Sequence, residues 1–100
     1  MIKHVVMWKF KDEAQGATKA ENLAKVKAAL EALPEKIPFI KHMEVNMNVN
    51  PSAACYDAVL ISEFDTLEDI LAYRDHPEHK KISEFVALVR ESRASADFEF

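Results

Sequence analysis

The chain has 100 residues, 49% of them hydrophobic and 30% charged, with a formal net charge of −4. That length suits a single domain over residues 1–100, and the acidic balance argues against a nucleic-acid partner. The single cysteine, Cys55, excludes an intrachain disulfide framework.

"IKHVVMWKF" opens the chain with alternating residues rich in β-branched and aromatic types, which predicts a strand. Ile2, His4, Val6, Trp8 and Phe10 form one face, and Lys3, Val5, Met7 and Lys9 the other. The Lys and His interruptions also make this stretch unsuitable as a secretory h-region. No apolar run approaches the ~18 residues of a membrane span. A cytoplasmic protein is the expectation.

After the polar break "KDEAQGA", Thr18 and Glu21 stand in capping-box spacing at the start of a helix. Leu23, Val26, Leu30 and Leu33 recur at helical spacing, and Pro34 marks its end. "FIKHMEVNMNV" predicts a second strand, with Phe39, Met43, Val45, Met47 and Val49 on one face. "YDAVLISEF" predicts a third, with Ala58, Leu60, Ser62 and Phe64 opposite Asp57, Val59, Ile61 and Glu63. Asp65 or Thr66 caps a short helix carrying Leu67, Ile70 and Leu71. Pro77 then starts another, with Ile82, Phe85, Val86 and Val89 as its apolar positions, and "RASADFEF" is a last strand.

The order strand, helix, strand, strand, broken helix, strand is the βαββαβ pattern of a ferredoxin-like α+β fold, an antiparallel sheet with helices on one face. Its first and third strands are central, and both are apolar on both faces. Helices cover only one face, so Val5, Met7, Val59 and Ile61 are expected to be covered by a second copy of the chain, in a face-to-face homodimer.

The segment "YRDHPEHKKI" concentrates titratable rings. With a helix starting at Pro77, His76 falls at the N-cap. His79 falls in the first turn, on the stripe of Ile82, Val86 and Val89. Burial and the positive end of the helix dipole both favour a neutral imidazole there, the form a general base needs. A bend after Tyr73 would bring its hydroxyl toward the same space, with His4 as a third polar group. Val6, Trp8 and Leu60 are expected to line that space. The bland reading is that His79 bonds a backbone group and that Trp8, Leu60 and Phe85 fill the interior. "HPEH" is an HxxH pair, but no cysteine or carboxylate cluster joins it, so no metal and no other cofactor is expected.

"IKHVVMWKFKD", "YDAVLISEFDTLEDILAYRDHPEH" and "ADFE", with the spacing between them, resemble the stress-responsive A/B barrel domain (Dabb) family over essentially the whole chain. The resemblance implies a ferredoxin-like fold that dimerises through its sheets into a dimeric α+β barrel. The family includes plant stress-induced proteins and polyketide cyclases of the olivetolic acid type, which close a linear poly-β-ketone by intramolecular aldol condensation. By that resemblance the catalytic pair falls on Tyr73 and His79, and ligand-contacting residues on His4 and Asp97. Two departures stand out: a second cavity histidine of those cyclases aligns with Ala58, and their bulky pocket aromatics with smaller residues around Leu23 and Val26. Two functions follow as expectations. One is an acid–base pocket for an enolisable carbonyl compound; the other is a non-catalytic stress-related or ligand-binding dimer.

Overall fold

The computed structural model describes residues 1–100. In chain order the strands are β1 (Ile2–Phe10), β2 (Glu13–Ala14), β3 (Ala17–Thr18), β4 (His42–Met47), β5 (Ala58–Phe64) and β6 (Arg90–Glu99). The helices are α1 (Lys19–Glu31), α2 (Leu67–Asp75) and α3 (Pro77–Val89), with a 3₁₀ turn at Leu33–Glu35 after α1. Four strands form one antiparallel sheet in the order β4-β5-β1-β6, and β2 pairs only with β3. With the small β2–β3 ribbon set aside, this is the ferredoxin-like βαββαβ topology.

Alternation on the central strands selects the covered face. Val6, Trp8 and Phe10 of β1 and Ala58, Leu60 and Phe64 of β5 are buried, and join Val26, Leu30, Ile70, Val86 and Val89 from the helices in one core. Thr18 closes the capping box expected of it: its Oγ1 accepts from the Glu21 N–H at 3.3 Å, and its own N–H donates to Glu21 Oε1 at 3.1 Å. Thr66 rather than Asp65 caps α2, accepting from the Asp69 N–H at 3.2 Å.

The opposite sheet face has no covering layer. Val5, Val59 and Ile61 are half-buried there, and Met7 and Phe98 are 39% and 48% exposed. No helix is long and apolar enough to cross a membrane.

Several sequence expectations need correction. The second strand is shorter than its alternation suggests: it runs from His42 to Met47, and Val49 is 96% exposed. Its pairing ends at Met47 opposite Ala58, where β5 begins. Beyond it, Asn48, Asn50 and Ser52 side chains accept backbone N–H bonds two residues on and peel the chain away. The polar break holds the β2–β3 hairpin, whose turn places Gln15 and Gly16 at φ 54° and 75°. Two successive positive φ values match a type I′ turn, which glycine at the second position tolerates without strain. In α1 the buried polar residue is Asn22, whose amide donates to the Ala14 carbonyl at 3.0 Å and ties the helix to that hairpin. In α2, Leu67 and Leu71 are exposed while Tyr73 is buried beside Ile70. The last strand begins at Arg90, directly on the end of α3.

Candidate active site

α2 and α3 share one capping residue. The His76 backbone N–H donates to the Tyr73 carbonyl at 3.1 Å, ending α2, while its Nδ1 accepts from the Glu78 N–H at 3.1 Å, starting α3. Its extended backbone (φ −67°, ψ 135°) is what a residue before proline prefers. Pro77 follows at the first helical position, where its missing N–H costs nothing. The joint is an elbow without a loop, and it turns the rings on either side of it toward each other.

Tyr73 lies one turn before the elbow and His79 in the first turn after it. Their ring centroids are 4.2 Å apart at an interplanar angle of 42°. Tyr73 is 2% exposed, packed against Phe64 at 5.2 Å and His4 at 6.2 Å between ring centroids. Its hydroxyl is buried and has no hydrogen-bond partner. An unpaired buried hydroxyl is costly, and native interiors rarely leave one. Burial raises the Tyr73 pKa well above its ordinary 10.0, against a smaller opposing pull from the Arg93 charge. The phenol is therefore a proton-bearing donor across the physiological range.

His79 is half-buried, and its Nδ1 lies 3.1 Å from the Arg74 carbonyl oxygen. A carbonyl only accepts, so Nδ1 carries the proton and Nε2 is the basic nitrogen of the neutral ring. Burial lowers its pKa below the ordinary 6.5; the Arg74 hydrogen bond opposes this, and the charges of His4, Arg93 and His76 add to the lowering. The N-terminal end of α3 acts in the same direction. Environments that push one group up and its neighbour down are the pattern of an acid–base pair.

His4 and Asp97 are register partners on β1 and β6, and Asp97 Oδ1 accepts a hydrogen bond from His4 Nδ1. The Ser62 hydroxyl donates to the His4 carbonyl at 3.1 Å. Around these groups lies a cavity of about 310 Å³, partly open to solvent, at the lower end of small-molecule sites. Its apolar wall is formed by Val6, Trp8, Leu30, Leu60, Ile82 and Val86, and His4, Tyr73 and His79 border it. A neighbouring recess of about 170 Å³ shares His4, Tyr73 and His79, and Asp97 borders it. The structure thus brings together all seven residues singled out from the sequence. Phe85, which would help fill the interior if no cavity existed, packs on the core periphery beneath Lys25.

Three arginines on the cavity wall escaped the sequence reading: Arg74, Arg90 and Arg93. Arg93 was within reach of it. In β6 the residues opposite Val6 and Trp8 are Ser95 and Arg93, so Arg93 shares the Asp97 face by simple alternation. Arg90 gives no such signal, because it sits at the direct junction of α3 and β6. Among potential metal ligands, His76 Nδ1 is engaged as a cap, and no group of three or more His, Cys, Asp or Glu side chains comes together.

The chain matches the stress responsive A/B barrel domain over residues 2–100. It belongs to that family. A dimeric protein of unknown function with a ferredoxin-like fold from Bacteroides fragilis is 39% identical to it, covering 99% of this chain and 95% of that one, with a TM-score of 0.85. A dimeric ferredoxin-like protein from Thermobifida fusca is 24% identical, over 99% and 90% of the two chains, with a TM-score of 0.83. A hydroxynitrile lyase from Passiflora edulis superposes with a TM-score of 0.81 at 15% identity, over 97% and 90%. The last two share the fold alone. Comparison with curated protein sequences gave no match.

Proposed function

We propose that this A/B barrel protein is a homodimer whose cavity performs acid–base chemistry on an enolisable carbonyl compound. The observation that carries the reading is the buried, unpartnered Tyr73 hydroxyl beside a histidine kept neutral. A carbonyl oxygen in the cavity would supply the missing acceptor. His79 Nε2 takes a proton from the carbon next to that carbonyl, and the C–H electron pair becomes the enolate. The Tyr73 O–H donates to the oxygen on which charge develops. Return of the proton to another carbon gives isomerisation; attack of the enolate carbon on a second carbonyl, whose oxygen takes the proton back from His79, gives aldol ring closure, the chemistry of the family's polyketide cyclases. Placed proton transfer contributes about 10²–10⁴-fold, and an oxyanion donor in a dry site about 10²–10³-fold more.

Support for the dimer comes from the uncovered apolar sheet face and from the relatives of B. fragilis and T. fusca, which are dimeric. The test of the chemistry is deuterium incorporation next to a ketone in D₂O, followed by NMR for 4-oxopentanoate and its methyl ester. Exchange catalysed by the wild type and lost in His79→Ala, with the dimer intact, is the expected result. Wild-type exchange no faster than buffer, or equal exchange by His79→Ala, would refute the reading.

A further inference from the structure

The charge lining the cavity runs against the charge of the chain. The protein carries 17 acidic and 13 basic side chains, yet Arg74, Arg90 and Arg93 border the main cavity and no Asp or Glu does. Asp97, in the adjoining recess, is held by His4. Arg74 is exposed and pairs with Asp75 at 3.4 Å. Neither Arg90 nor Arg93 has a carboxylate within ion-pair distance. Arg93 donates only to the Ser95 hydroxyl, at 3.3 Å, and Arg90 is half-buried with no side-chain hydrogen bond.

Guanidinium groups left without anions at the wall of a cavity are complementary to an anionic ligand. Tyr73, which lines the same cavity and is 2% exposed, carries a buried, unpartnered hydroxyl that independently calls for an acceptor oxygen. We infer that the ligand is a carboxylate-bearing carbonyl compound, whose carboxylate is held by Arg90 and Arg93 while its carbonyl meets Tyr73. The planar guanidinium fork matches two carboxylate oxygens, and the apolar wall of Trp8, Leu60 and Val86 takes the carbon chain between the two polar ends. This deepens the proposed function and rests on it for the role of the carbonyl. The carboxylate site itself stands on the arginines.

Trp8 is the only tryptophan and lies on the cavity wall, so its fluorescence reports occupancy directly. Three probes share one ketone: 4-oxopentanoate, its methyl ester, and 3-oxobutylphosphonate. The carboxylate is expected to bind about tenfold or more tighter than the ester, the ratio a charge-assisted hydrogen bond gives. Arg90→Gln and Arg93→Gln should remove most of that preference, weakening carboxylate binding far more than ester binding. Arg93→Lys, which keeps the charge and loses the fork, should retain only part of it. Lys80→Gln, which removes an exposed charge elsewhere, should retain all of it. Equal affinity for ester and carboxylate, a preference for the phosphonate, a preference surviving both Arg→Gln variants, or no saturable binding by fluorescence and calorimetry would each overturn the inference. Arginine-dependent carboxylate binding without His79-dependent deuterium exchange upholds the carboxylate site and refutes the chemistry. Exchange without carboxylate preference does the reverse.

Discussion

Replacing Tyr73 with phenylalanine removes one oxygen atom and should move stability and activity in opposite directions. The ring is fixed by Phe64, His4 and His79 at centroid distances of 5.2, 6.2 and 4.2 Å, and all of that packing survives in Tyr73→Phe. What disappears is a buried hydroxyl without a partner. Leaving such a group unsatisfied costs about 1–3 kcal/mol. Taking the low end, because Tyr73 lines a cavity, the variant gains about 1 kcal/mol. For a chain of this size that is about 4–8 °C in Tm. Circular dichroism melts of both proteins, at one protomer concentration so that dimer dissociation contributes equally, measure it. Deuterium exchange should meanwhile fall about 10²–10³-fold, the loss of one oxyanion donor. A residue that only packs would lose neither exchange nor stability. A lower Tm in Tyr73→Phe would mean that the hydroxyl has a bonded partner in solution, and unchanged exchange would remove it from the chemistry.

Four further outcomes follow from the same structure. Exchange activity should hold level from pH 7 to 9 and fall only below pH 6.5, because burial keeps the His79 pKa under that ordinary value and the Tyr73 pKa far above 10.0; a rate still rising above pH 7 would contradict this. The same depression has a stability sign: unfolded His79 takes up its proton first as pH drops, so its contribution is complete above pH 6.5 and is lost on falling toward the folded pKa. Urea unfolding at pH 7.5 and 5.5 should therefore show a smaller acid loss in His79→Gln than in the wild type. On the open sheet face, Ile61→Lys should give monomers by light scattering, since it sets a charge on a central strand of the uncovered layer. Thr18→Ala should cost about 1 kcal/mol by denaturant unfolding, through loss of the α1 cap.

The fold is legible in this sequence wherever one face of an element is buried. His4, Val6 and Trp8 alternate cleanly because β1 is central and the helices cover one side of it. Thr18, Pro77 and His76 are readable because capping is local chemistry. Alternation misleads in the second strand, where Asn48 and Val49 continue the pattern after β5 has stopped supplying a partner. The β2–β3 ribbon is hidden because two-residue strands have no period. At the site, the Tyr–His segment and the Asp97 face are visible, and the arginine wall is not. Arg90 and Arg93 acquire meaning only from the acids that fail to approach them, a fact of tertiary packing. The surroundings of the unpaired Tyr73 hydroxyl are likewise tertiary, set by Phe64 on β5 and by His4, far away in the chain.

The loopless joint at His76 makes residue count, rather than residue identity, the store of the site's geometry. Each added residue would rotate everything beyond it by roughly 100° in helical phase, carrying His79 off the Tyr73 ring and breaking the stripe that seats Val86 and Val89. Arg74, Asp75 and Lys80 around the joint are exposed and can drift in side chain without disturbing that phase. The segment behaves as a ruler five residues long between two rings, indifferent to most of its markings and intolerant of any change in length.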